Sequence, residues 1–170
     1  MTSDVLITIA MAIAALASVA GLVTGRAPRV VAVASAGLLL LALLLGWTDD
    51  TYHHLDMTVA VLAAILAVAG GGLVTTQVFS FVEDPDRVRQ AGAVLRGGAW
   101  IGALERLGVY VALVAGWAPG LAIVLAVKGL GRYPELRNQD DTGVAERFII
   151  GTFTSVLWAV ACAGAAVLAP

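Results

Sequence analysis

Charge is what this sequence has least of. Asp, Glu, Lys and Arg together make up 13% of its 170 residues, about half the share found in a soluble domain. A soluble chain of this length must cover its surface with polar groups, and these are too few. That excludes an ordinary cytosolic enzyme and a disordered chain. The formal net charge of −2 gives no overall attraction to a polyanion, which excludes a nucleic-acid binder. Cysteine occurs once, at Cys162, so neither an internal disulfide nor a thiolate metal set can be built. Its apolar surroundings mark it as a small core residue. Lysine also occurs once, at Lys128, and the other nine basic residues are Arg. With abundant Ala, Val and Gly, this bias points to a GC-rich bacterial genome.

What is present is apolar: 60% of the chain, against roughly 45–50% in soluble domains. A bilayer core of about 30 Å takes roughly 20 apolar residues per helix. Six segments meet or approach that length, at about 5–24, 30–47, 57–81, 98–116, 119–132 and 145–168. The expected fold is therefore all-α, a polytopic integral membrane bundle of about six transmembrane helices with short loops. The first segment does not match a cleaved signal peptide, because no positive charge precedes it. Tyr133-Pro134 is expected to end the fifth helix, since proline cannot continue one and restricts the residue before it.

Basic residues set the orientation. Arg26, Arg29, Arg87, Arg89, Arg96, Arg132, Arg137 and Arg147 all lie in or beside turns on one side, with Arg106 and Lys128 near those same ends. The other side holds Asp4, Asp49, Asp50 and Asp56 with no base. Short loops rich in Lys and Arg face the cytoplasm. The expected placement is a bacterial plasma membrane, multi-pass, with basic loops inside and both termini outside.

The chain reads as one transmembrane domain in three parts. Residues 1–82 are scaffold, with almost no charge in the lipid. Residues 83–97 are a cytoplasmic loop, an interfacial amphipathic helix or the lower end of the fourth span, with Asp84-Pro85 as a helix start. Residues 98–170 carry the intramembrane charge. A charge at mid-helix costs about 2.5–3.5 kcal/mol by insertion scales, so Glu105, Arg106 and Lys128 are candidates for function. Depth brings them together. At 1.5 Å per residue, Glu105 and Lys128 each sit about 10 Å inside the basic end, with Thr152, Thr154 and Ser155 at about 9–13 Å. Arg132, Glu146 and Arg147 lie nearer the surface.

Helical phase adds direction. Gly98, Gly102, Glu105, Ala112 and Gly116 share one stripe rich in small residues, which points Glu105 into the bundle. Arg106 is about 100° away, pointing elsewhere or snorkelling to the interface. A Glu105–Lys128 pair is the preferred contact, with Arg106 or Arg132 near Glu146. Two readings follow. One is an anion pocket for a lipid headgroup or small anion, made of these bases, the hydroxyls and the start of the sixth helix. The other is a set of structural ion pairs in a non-catalytic accessory or assembly subunit. Glu105 also admits a proton or cation path. No catalytic triad, carboxylate pair or phosphate loop is present, which argues against an enzyme, and no cofactor is implied.

Two other places stand out. Gly70-Gly71-Gly72, followed by Thr75, Thr76 and Gln77, reads as a helix break or as a close packing surface. The 49–56 loop, with His53, His54 and Asp56, reads as an acidic solvated loop anchored by Trp47 and Tyr52, or as a metal site. Gly21 and Gly25 form a small-xxx-small pair suited to helix contact within the chain or in a homo-oligomer. The expected partners are the bilayer itself, an anionic lipid or small anion, and either further copies or a larger membrane complex.

The stretches 96–106 (Arg96 to Arg106), 128–135 (Lys128 to Glu135) and 145–152 (Ala145 to Thr152) resemble a family of uncharacterised small bacterial polytopic membrane proteins. The resemblance is confined to the second half. It implies the same residues as the depth argument and brings no substrate or reaction.

Overall fold

The structure, a computed structural model, describes residues 3–25, 27–47, 56–82, 98–137 and 142–168. These form six helices: α1 (Ser3–Thr24), α2 (Pro28–Trp47), α3 (Met57–Val82), α4 (Gly98–Val114), α5 (Ala118–Arg137) and α6 (Thr142–Leu168). The fold is an all-α bundle. Four helices, α1, α2, α3 and α6, are long and apolar enough to cross a membrane. The other two form where expected but differ in kind. Helix α4 has 17 residues, and α5 carries Lys128, Arg132, Glu135 and Arg137 in its second half.

Local chemistry sets the helix ends. Gly25 adopts φ +62°, closing α1, and Pro28 opens α2 at a position that needs no backbone donor. Asp56 caps α3: its Oδ1 accepts from the Thr58 N–H at 2.7 Å and the Val59 N–H at 3.4 Å. Helix α4 ends in a Schellman motif. Gly116, at φ +66°, donates to the Leu113 carbonyl at 3.0 Å, and Trp117 donates to Ala112 at 2.8 Å. The expected stop at Tyr133-Pro134 does not occur, and α5 runs through Pro134 to Arg137. A proline there removes only one hydrogen bond from the last turn, where few remain to be made.

Helices α3 and α6 form the central antiparallel pair. Gly70 and Gly71 of α3 meet the Trp158 ring of α6, while Gly151 of α6 meets the Phe79 ring of α3. Helices α1 and α2 pack on one side of this pair and α4 on the other. Among the described residues, helix α5 packs extensively only on α4. Contact along α4 and α5 runs from Glu105–Lys128 through Gly108–Val124 to Ala112–Gly120, an antiparallel hairpin.

The core is small and dense. Ile7, Met11, Leu39, Leu66, Trp158 and Cys162 are buried among many alanines. Large apolar side chains such as Leu16, Val33, Phe81 and Leu104 face outward, the outward composition that lipid favours and water does not. Lipid is as apolar as leucine, so packing and hydrogen bonds hold the helices rather than exclusion from solvent. A buried pair, Ser18 Oγ and Ser35 Oγ at 2.8 Å, ties α1 to α2. Gly21 rests against Val31 of α2, so this glycine serves contact within the chain.

Candidate functional site

Helix α3 is the frame on which the site is built. Alanine and glycine dominate residues 60–72, leaving much of its backbone uncovered by side chains. Neighbouring helices use that backbone as an acceptor surface. Tyr110 of α4 donates its hydroxyl to the Ala60 carbonyl at 2.7 Å. Trp158 of α6 donates its indole N–H to the Leu66 carbonyl at 3.0 Å. Arg106 of α4 donates Nε and Nη2 to the Val68 carbonyl at 3.1 and 2.9 Å. A helical carbonyl retains a second lone pair for such contacts.

Arg106 therefore overturns its expected placement. It neither snorkels nor lies near Glu146; it is buried in the bundle, and Nη1 also donates to Ser155 Oγ of α6 at 3.3 Å. The physical reason is the glycine run. A Cβ on Gly71 would stand 2.4 Å from Arg106 Cδ, so the absent side chain is what admits the guanidinium. Gly102 serves the same residue from its own helix, with Nη1 at 3.1 Å from where its Cβ would be. Helix α3 continues unbroken through Gly70, Gly71 and Gly72, so these glycines act in close packing and not as a break.

Glu105, one residue earlier, faces outward from this core toward α5. Its Oε2 accepts from Lys128 Nζ in an ion pair that is largely but not fully covered. Lys128 Nζ also lies 6.0 Å from the Phe148 ring centroid of α6. Two cations thus flank one carboxylate at a single level of the hairpin. The void they share with Ser155, Val109 and Val124 is about 10 Å³, room for one water.

The remaining candidates separate. Arg147 lies over the Phe79 ring at 4.7 Å. Glu146 is exposed and Arg132 half-buried. Thr152 Oγ1 is buried and lacks a hydrogen-bond partner among the described residues, as does Gln77 Oε1. Thr154 faces away from the ion pair, into an apolar cleft between α2, α3 and α6. Gly98 begins α4. Asp56 is a helix cap, while His53, His54 and the 83–97 segment lie outside the described residues. Among the described residues no group of three or more His, Cys, Asp or Glu side chains is placed to hold a metal.

Sequence reasoning missed Tyr110, Trp158, Ser18 and Ser35 as structural donors. The signal for Trp158 was Gly70-Gly71-Gly72, since a run that removes three side chains requires large neighbours to fill the space; nothing comparable marked the other three. Comparison with protein-family models, curated proteins and solved structures gives no match to this chain.

Proposed function

We propose that this chain is a non-catalytic membrane subunit that acts through contacts in the bilayer plane, its intramembrane charges joining its own helices. One observation carries this reading: the three intramembrane charges are already engaged internally. Lys128 and Glu105 pair, Arg106 is held by Val68 and Ser155, and the space between them admits only a water-sized guest. The broad outward apolar surface provides area for a larger complex or further copies. Its setting in this reading is a bacterial plasma membrane with the basic turns inside, supported by the one-sided arginines.

The test uses the ion pair. Removing one partner of a covered pair leaves an uncompensated charge, whereas replacing both by apolar groups is often neutral. Glu105→Leu or Lys128→Leu alone should lower the amount of folded protein in the membrane, and the double variant should restore it. Copurification of a stable partner with both wild type and double variant completes the expected result. Loss of partner binding in a well-folded double variant would count against a purely structural role for the charges.

A second reading is a small binding or transport protein for an anionic ligand between α4, α5 and α6. The one-sided packing of α5 favours it, because Lys128 rides on the helix with the least support. An anion would take the place of Glu105 beside Lys128. Glu105→Gln should then tighten binding of inorganic phosphate, and Lys128→Ala should abolish it, with both variants folded.

A further inference from the structure

The charges gathered between α4, α5 and α6 do not sum to zero. Arg106 and Lys128 are positive and Glu105 is negative, which leaves one positive charge inside the bundle among the described residues. Glu105 pairs with Lys128. Arg106 is held by neutral groups, the Val68 carbonyl and the Ser155 hydroxyl. Charges within a bilayer are costly, and they pair with one another or mark an ion site. The donors here are not used up. Ser155 accepts from Arg106 Nη1, so its hydroxyl still has a proton to give. Lys128 carries three N–H groups and Glu105 takes one. Nη1 of Arg106 carries two and Ser155 takes one. All three side chains line the same void of about 10 Å³, and Val109 and Val124 are among its other walls. One turn toward the basic end, on the same side of α6 as Ser155, Thr152 Oγ1 is buried without a partner among the described residues.

We infer that this void binds one monatomic, monovalent anion, a halide, against Arg106, Lys128 and Ser155. Charge, size and donor arrangement each select it. One negative charge brings two cations and one carboxylate to neutrality, with Glu105 still paired to Lys128. The volume is that of about one water, which excludes phosphate and lipid headgroups. The donors come singly, from three helices. The Nε–Nη2 edge of Arg106 is the kind of fork that grips an oxyanion, and it is already taken by the Val68 carbonyl. A spherical ion needs no paired donors. Glu105 also borders the void, and its charge opposes an anion there, so it holds the affinity down. The inference rests on the second reading above, that an anion binds between these helices. It differs in leaving Glu105 in place and in narrowing the guest to a halide.

The test is a chloride titration of the full chain in detergent, with sodium gluconate replacing sodium chloride at constant ionic strength. The thermal midpoint of wild type should rise with chloride and saturate. It should stay level when phosphate replaces gluconate. Glu105→Gln should lower the half-saturating chloride concentration by about fivefold or more, the effect of removing a like charge about 4 Å away even with water-like screening. Ser155→Ala should raise it by about tenfold or more, the worth of a hydrogen bond to a charged group. Ser155→Val, which puts methyl groups into the void, should abolish the response. Broadening of the chloride NMR line by the folded protein should follow the same order without recourse to unfolding. Equal midpoints in chloride and gluconate would overturn the inference, as would a full chloride response in Ser155→Val. Phosphate binding without a chloride response would also overturn it, while leaving the broader anion reading intact.

Discussion

The guanidinium stem of Arg106 occupies the space that a side chain on Gly71 would need. The closest approach from that missing Cβ is 2.4 Å, to Arg106 Cδ, and Trp158 Cδ1 stands 2.9 Å away on the other side. One glycine thus seats the core cation and the core indole together. Gly71→Ala should destabilise the bundle by about 1–3 kcal/mol, the usual cost of overpacking. Gly72→Ala should cost far less, because its Cβ would lie 3.5 Å from Arg106 Nη2, an ordinary contact. Thermal unfolding in detergent compares the two, and the Gly71→Ala penalty should shrink in an Arg106→Ala background.

Tyr110 and Trp158 both donate to α3 carbonyls, but they fill different volumes. Tyr110→Phe removes only the hydrogen bond to Ala60 and should cost about 0.6–1.7 kcal/mol, the range for such bonds within membranes. Trp158→Phe removes the bond to Leu66 and also leaves a void against Gly70 and Gly71. It should cost more, and the difference between their melting midpoints measures the packing share.

Ser18 and Ser35 form a coupled pair. Ser35 also donates to the Ala14 carbonyl at 3.4 Å, so removing Ser18 leaves Ser35 a poorer alternative. Ser18→Ala and Ser35→Ala should each cost about 0.6 kcal/mol, and the double variant less than their sum. Additive losses in a double-mutant cycle would show that the two hydroxyls do not act on each other.

Asp56 offers a test of role by substitution. As a cap it needs only a side-chain oxygen, so Asp56→Asn should retain stability while Asp56→Ala loses about 0.5–2 kcal/mol. A metal ligand would show the reverse sensitivity to charge, with Asn as damaging as Ala and added zinc shifting the midpoint of wild type alone.

The sequence foretold depth well and direction poorly. Rise per residue alone brings Glu105 level with Lys128, and they pair. Run length alone marks six helices, and four of them are long and apolar enough to cross a membrane. The small-residue stripe Gly98, Gly102, Glu105, Ala112 and Gly116 catches only part of the inward face of α4. It holds Ala112, which is buried, and Glu105, which pairs with Lys128. It misses Arg106, Val109 and Tyr110, which are buried beside Ala112. Small residues do mark the contact, but they sit on α3, and their partner helix supplies the bulk. Which side of a contact is small and which is large is a property of the pair, and no single segment records it.

The lean support of α5 bears on how the chain is made. A segment carrying Lys128 and Arg132 is costly to release alone from the insertion machinery into lipid, at about 2.5–3.5 kcal/mol for each base near its centre. Among the described residues its one broad neighbour is the helix synthesised just before it, which carries the matching carboxylate. The two must leave as a closed hairpin, with Glu105 waiting for Lys128 over the time needed to translate some twenty further residues.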